Sequence, residues 1–264
     1  MSALKKLIAL IVCIAMLCIC LVSCDQILGN NQGNNQGGDV ELQSDNYVES
    51  IRIKYATNDD KMKAAIDALG TPETTLTVMG DDLKLVSNAT VGNISVSNEY
   101  IYIGGTLYHS TTAQITDANV SSFEKAAMDL TQRDQLVSKA GAGASIGISD
   151  FLDQQMSKSG NLTIYTCDGI TDEARDSLQA IVASKFDGLG ANVRLDSASY
   201  ILEVKDGRNN ASTLSCNFVI DMNGESYEIT MHLQCEFNYD AEVSITAPDD
   251  TDKYTDTSVD EILK

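Results

Sequence analysis

The stretch Ser212–Phe237, "STLSCNFVIDMNGESYEITMHLQCEF", decides the architecture. Apolar and polar residues alternate on both sides of Asn223-Gly224, a pair that favours the left-handed backbone of a two-residue hairpin turn. With those two residues as the turn, Ile220 faces Tyr227, Phe218 faces Ile229 and Cys216 faces Met231. The other parity pairs Asp221 with Ser226 and Val219 with Glu228, a mostly polar set. One face of the ribbon is therefore apolar and the other wet, as in an antiparallel sheet covered on one side. The same register separates the cysteines. Cys235 lies four residues beyond the partner of Cys216, roughly 13 Å along the strand, too far for a disulfide. Buried free thiols at Cys167, Cys216 and Cys235 are expected.

The pattern extends outward from this hairpin. "ASYILEV" before it and "AEVSITAP" after it also alternate, giving four strands in the last third of the chain. Upstream, Thr74–Tyr108 reads as short alternating runs, and "NLTIYTC" as one more strand. Helical spacing occurs in four places. Asn58 is placed to cap a helix with Met62, Ala65, Ile66 and Leu69 on one stripe, ending at Gly70 and Pro72. Ser121-x-x-Glu124 has the form of a capping box, and Val120, Phe123, Ala127, Leu130 and Val137 recur on one face until Gly141. "ISDFLDQQM" reads as a shorter helix, and Thr171 caps another carrying Leu178, Ile181, Val182 and Phe186. Strands, then helices, then strands predict an α+β fold in a single domain over 47–264.

The amino-terminal region says more about address than chemistry. Lys5 and Lys6 precede a run of about fifteen apolar residues, Leu7–Leu21, the length of a signal-peptide core rather than a bilayer span. Leu21-Val22-Ser23-Cys24 has the form of a bacterial lipobox, with cleavage between Ser23 and Cys24 and lipid on the cysteine. Residues 1–23 are thus expected to be a lipoprotein signal peptide. Residues 24–46, rich in Asn, Gln and Gly, are expected to be the lipidated cysteine and a flexible tether. The expected location is the outer face of a cytoplasmic membrane, extracytoplasmic. Against 18 Lys and Arg stand 38 Asp and Glu, a net charge of −20, which disfavours nucleic acid as a partner.

Candidate chemistry is sparse. Gly143-Ala-Ser145-Ile-Gly147 matches a nucleophile elbow in letters, but a helical pattern precedes it where a strand is required. His109 and His232 are the only histidines, and neither has zinc-type spacing. Asp249, Asp250, Asp252 and Asp256 lack the glycine and terminal glutamate of a calcium loop. No phosphate-binding loop is present. A non-enzymatic protein without cofactor or metal is expected. The remaining candidate is the apolar sheet face itself: Tyr200, Leu202, Val204, Phe218, Ile220, Tyr227, Ile229, Met231, Leu233 and Phe237, with Val243 and Ile245. It forms either a packed core or the wall of a cavity for an apolar ligand.

The whole arrangement resembles the LolA/LppX-like lipoproteins of bacterial envelopes. The resemblance rests on the lipobox cysteine, the polar tether, the early helix, "EYIYIGGTLYH", the helical middle, "SYILEV" and a closing "VSITAPDDTDKYT". It implies a curved antiparallel half-barrel with helices packed on its concave face, and in some members carriage of lipid or acyl chains. The function expected is binding or carrying an apolar, lipid-like ligand at the membrane. The alternative is a non-catalytic envelope module with a filled core and a protein partner.

Overall fold

A computed structural model describes residues 46–263, except 68–70, 116–117, 141–145, 185–190 and 223. The elements are β1 (Asn46–Ala56), α1 (Asp60–Asp67), β2 (Glu73–Met79), β3 (Asp82–Val91), β4 (Ile94–Ile103), β5 (Thr106–Ile115) and β6 (Ala118–Ala127). They continue with α2 (Leu130–Ala140), β7 (Phe151–Ser159), β8 (Leu162–Ile170), α3 (Asp172–Ser184), β9 (Asn192–Lys205), β10 (Arg208–Met222) and β11 (Glu225–Asn238). The short β12 (Thr255–Asp256) and α4 (Val259–Ile262) close the order. All twelve strands form one sheet in the order β12-β6-β5-β4-β3-β2-β1-β11-β10-β9-β8-β7. Every neighbouring pair is antiparallel except β12 with β6.

The hairpin closed by the Met222–Glu225 pair sits where alternation placed it. Ile220 pairs with Tyr227, Phe218 with Ile229, Cys216 with Met231, and Cys235 with Ser212. Gly224 takes φ +81°, a conformation open to glycine at little cost. Asp206 and Gly207 form a second left-handed pair joining β9 to β10, with φ of 53° and 79°. Cys167, Cys216 and Cys235 are buried and unbridged.

The expected α+β half-barrel with helices on its concave face is not what the chain forms. It is a β protein: one open sheet with a few short helices. The difference lies in the middle of the chain. Val120 to Ala127 belong to β6, paired residue by residue with β5, and Glu124 meets His109 instead of capping a helix. The helix begins later, at Leu130, where Asp129 Oδ1 accepts from the Gln132 amide and Gln132 Oε1 accepts from the Asp129 amide. "ISDFLDQQM" is a 3₁₀ turn at Ile148–Asp150 followed by edge strand β7. Leu152 and Met156 are four apart, a spacing that puts two residues on one face of a strand as well as of a helix. Here they stand exposed, at 71% and 66%. "AEVSITAP" forms no strand, although Ile245 is buried. Asp59, rather than Asn58, caps α1 through the Met62 amide. Thr171 does cap α3, accepting from the Ala174 amide.

Odd-numbered residues of β1 point to the apolar face: Tyr47, Glu49, Ile51 and Ile53 are all buried. Two apolar clusters meet along this strand. The first takes Ile51 and Ile53, the inward residues of β8–β11, and Met62, Ile66, Leu178 and Val182 from α1 and α3. The second takes Tyr47, Leu76, Leu83, Leu85, Tyr102 and Leu107, with Leu136 of α2 and Val259 and Ile262 of α4. On the opposite face of β4–β6, Tyr254 packs edge-on against Tyr108 and Phe123. The Thr257 amide then donates to the Lys125 carbonyl, so the carboxy-terminal segment runs along the β6 edge.

Candidate functional site: a polar seam and a buried carboxyl on the apolar face

The ten sheet-face residues named from the sequence share one face. Tyr200, Leu202, Val204, Phe218, Ile220, Tyr227, Ile229, Met231 and Leu233 are buried members of the first cluster, and Phe237 is half-buried against both. Of the two further residues, Ile245 is buried and Val243 half-buried. Around Leu178 and Val182 this face is filled by side chains from the helices. Ser23 and Cys24, the proposed cleavage and lipid-attachment residues, lie outside the described residues, as do Gly143 to Ser145 of the elbow-like motif. Among the described residues no helix is long and apolar enough to cross a membrane.

The apolar face carries polar groups that the alternation did not flag. Thr74, Ser87, Asn98 and Thr111 are successive cross-strand neighbours on β2, β3, β4 and β5. Thr74 Oγ1 and Ser87 Oγ are hydrogen-bonded at 2.9 Å. Thr111 donates to Asn98 Oδ1 at 2.7 Å and lies 3.2 Å from His109 Nε2. His109 in turn stacks on Tyr100 and sits 3.3 Å from Glu124 Oε2. Burial holds the His109 pKa below its ordinary value, with Glu124 pulling the other way. The result is a polar seam running across the sheet. On one side lies the second cluster. On the other the same face continues through Val96, Ala113, Ile94, Ile115 and Val120, where apolar side chains meet solvent and Val120 is 61% exposed.

The seam reaches β1 at Ile51, partner of Thr74, and resumes on β11 and β10 with Cys235 and Ser212. Beside it on β1 hangs Glu49, only 3% exposed, with Leu76 and Phe237 as its cross-strand neighbours. The Cys235 thiol bonds to the Glu49 carboxyl. Glu49 Oε1 has no hydrogen-bond partner among the described residues. Burial pushes the Glu49 pKa up to about 7, because removing a carboxylate from water disfavours its charged form. Three aromatic rings lie near it. Tyr47 lies 6.4 Å from Phe237 and 6.0 Å from Tyr239, while Phe237 and Tyr239 stack at 6.4 Å. The Arg208 guanidinium sits 5.3 Å from the Tyr239 ring centre. Burial raises the Tyr47 and Tyr239 hydroxyl pKa values, with the Glu49 charge adding to both. Tyr200 is pushed up to about 12, again mainly by burial. None of these hydroxyls is a nucleophile or base at neutral pH.

Two other sites are chemically quieter. Ser215 Oγ and His232 Nδ1 are 2.9 Å apart on the wet face of β10 and β11, half-buried at most. A groove of about 370 Å³ opens between the β1–α1 connection and β9–β11, lined by Thr57, Asp196, Ser197, Asn217, Glu228 and Thr230 among others. Much of its polar lining is already hydrogen-bonded internally: Asn217 to Ser197, Thr230 to Asn217, and Thr57 to the Glu228 carbonyl.

No family model and no curated protein matches the chain. Among solved structures it is similar to the ywiB protein from Bacillus subtilis, at 10% identity and a TM-score of 0.20, over 74% of this chain and 94% of that one. A 12:0-ACP thioesterase from Umbellularia californica gives 9% identity and 0.13, over 81% and 80%. The di-domain ARO/CYC StfQ from the steffimycin biosynthetic pathway gives 7% and 0.14, over 71% and 74%. Likeness at these scores carries no argument about fold or function.

Proposed function

We propose that the chain is a lipid-anchored extracytoplasmic protein, attached through Cys24, that binds an apolar, lipid-like ligand on its inward sheet face. The observation that carries the reading is the continuation of that face past the seam. Ile94, Ile115 and Val120 are exposed at the edge of a surface that elsewhere is core. Exposed apolar side chains grouped on one face mark a contact surface more often than scattered ones do. The seam, with Glu49 beside it on β1, supplies groups for the polar part of an amphiphile. No nucleophile–base pair is needed for this role, and the protein is proposed to be non-enzymatic, without cofactor or metal.

The test is native mass spectrometry of the protein purified from membranes, with Nile red fluorescence as a second reading. A co-purifying lipid-sized mass, and dye binding lost on adding lipid extract, are expected. A clean protein mass together with no dye binding overturns the proposal. The anchor is tested separately, since Cys24→Ala is expected to release the protein from the membrane fraction.

A second reading is favoured by one observation. Met62, Ile66, Leu178 and Val182 already fill the first cluster. On that reading the protein is a non-catalytic envelope module with a filled core, and the exposed residues of β4–β6 contact a protein partner. Lipid and dye would then both fail to bind.

A further inference from the structure

Resting on the ligand-binding reading, we infer that Glu49 and the rings near it form the head-group site, and that the head group is a cation, an ammonium-bearing amphiphile. Four observations converge. The Glu49 carboxyl is buried, and Oε1 has no partner among the described residues. The groups that face it are Tyr47, Tyr200, Tyr239 and Cys235, which carry no positive charge at neutral pH. A buried carboxylate without a counter-charge is unfavourable, and an arriving ammonium supplies both the charge and an N–H donor for the unpartnered oxygen.

The rings provide the second half of the recognition. Tyr47, Phe237 and Tyr239 lie within 6.4 Å of one another, Phe237 is the cross-strand neighbour of Glu49, and Phe237 and Tyr239 are half-exposed, so part of the ring cluster beside Glu49 meets solvent. Aromatic faces attract cations through the ring quadrupole. This cluster already does so, holding the chain's own Arg208 over Tyr239. The third piece is the protein's charge. A net −20 draws cations and repels a fatty-acid carboxylate at long range. The fourth is placement, since Glu49 lies beside the polar seam, on the strand where the two apolar clusters meet.

The experiment measures displacement of Nile red from the full chain by three twelve-carbon probes below their micelle-forming concentrations: dodecylammonium, dodecanoate and 1-dodecanol. Dodecylammonium is expected to bind at least tenfold more tightly than dodecanoate. Glu49→Gln, close in shape and without the charge, is expected to shrink that preference below threefold, with 1-dodecanol as the uncharged reference. Arg208→Ala, which removes the resident cation from Tyr239, is expected to tighten dodecylammonium severalfold. Dodecanoate binding as well as dodecylammonium, or a preference that survives Glu49→Gln, overturns the head-group assignment and leaves the ligand-binding reading standing. If neither dye nor probe binds, the ligand-binding reading falls, and this inference with it. Cooperative melting of each variant at pH 5 shows that it has folded.

Discussion

The two halves of the sheet share one face and treat it differently. Across β8–β11 the inward residues are apolar almost without break, and α1 and α3 lay Met62, Ile66, Leu178 and Val182 over them. Across β2–β6 the same face is divided by Thr74, Ser87, Asn98 and Thr111, and past that line Ile94, Ile115 and Val120 are exposed. A face filled from both sides serves stability. A face that mixes apolar residues with a hydrogen-bonded polar row gives up some transfer free energy, since each buried hydroxyl or amide must be satisfied to be tolerated. Function is therefore sought in the second half and at the strand joining the two.

The sharpest way to break this comparison is to charge the packed half. Leu178→Asp places a carboxylate in the first cluster with no counter-charge and is expected to cost about 4 kcal/mol or more, enough to abolish a cooperative urea transition. If the variant unfolds with an ordinary midpoint, α3 is a dispensable cover and the halves are less different than described.

Glu49 tests the junction. Its folded pKa of about 7 lies above its ordinary 4.5, so the folded state favours the protonated form. The stabilising contribution is complete below about pH 4.5 and is lost as pH rises through 7, where the full cost of burying the charge is reached. Glu49→Gln is expected to be more stable than the parent at pH 8 by about 3 kcal/mol, since each tenfold change in proton affinity between the folded and unfolded states is worth about 1.4 kcal/mol. The advantage is expected to fade to nothing near pH 4. Urea midpoints measured across that range check it, and an advantage that does not change with pH rules out the raised pKa.

How much of this was legible beforehand differs between the halves for a physical reason. The Asn223-Gly224 turn fixes a register by itself, and every cross-strand pair derived from it is present in the sheet. Nothing comparable marks β6 and β7. Val120, Phe123 and Ala127 follow a three-and-four spacing that reads as helical, but Phe123 and Val120 point to opposite faces of a strand. Phe123 finds its apolar partner in Tyr254, more than a hundred residues on. A one-dimensional period cannot register that contact. The seam escaped notice for a related reason: Thr, Ser and Asn at alternate positions look like a wet face until cross-strand neighbours show that they line up on the dry one. Glu49 carries no local signal beyond its parity with Tyr47, Ile51 and Ile53, which could have marked it as an acid on an apolar face.

The seam is tested by Asn98→Ala, which leaves the Thr111 hydroxyl without its acceptor and is expected to cost about 2 kcal/mol. Asn98→Val of similar size removes the amide but fills the space. If it is as stable as the parent, the row is not maintained for stability.

The smallest expected effect on stability is the most informative about function. Val120→Ser removes an apolar side chain that solvent already reaches, so its urea midpoint is expected to move by no more than about 0.5 kcal/mol. The same change takes apolar surface from the part of the face proposed to contact ligand, and Nile red affinity is expected to fall severalfold. A matched change at Met156, exposed on the far edge strand β7, serves as the control: Met156→Ser is expected to leave both quantities alone. If the two variants behave alike, the exposed residues of β4–β6 are ordinary surface, and only the seam and Glu49 would still distinguish that half of the sheet from the packed one.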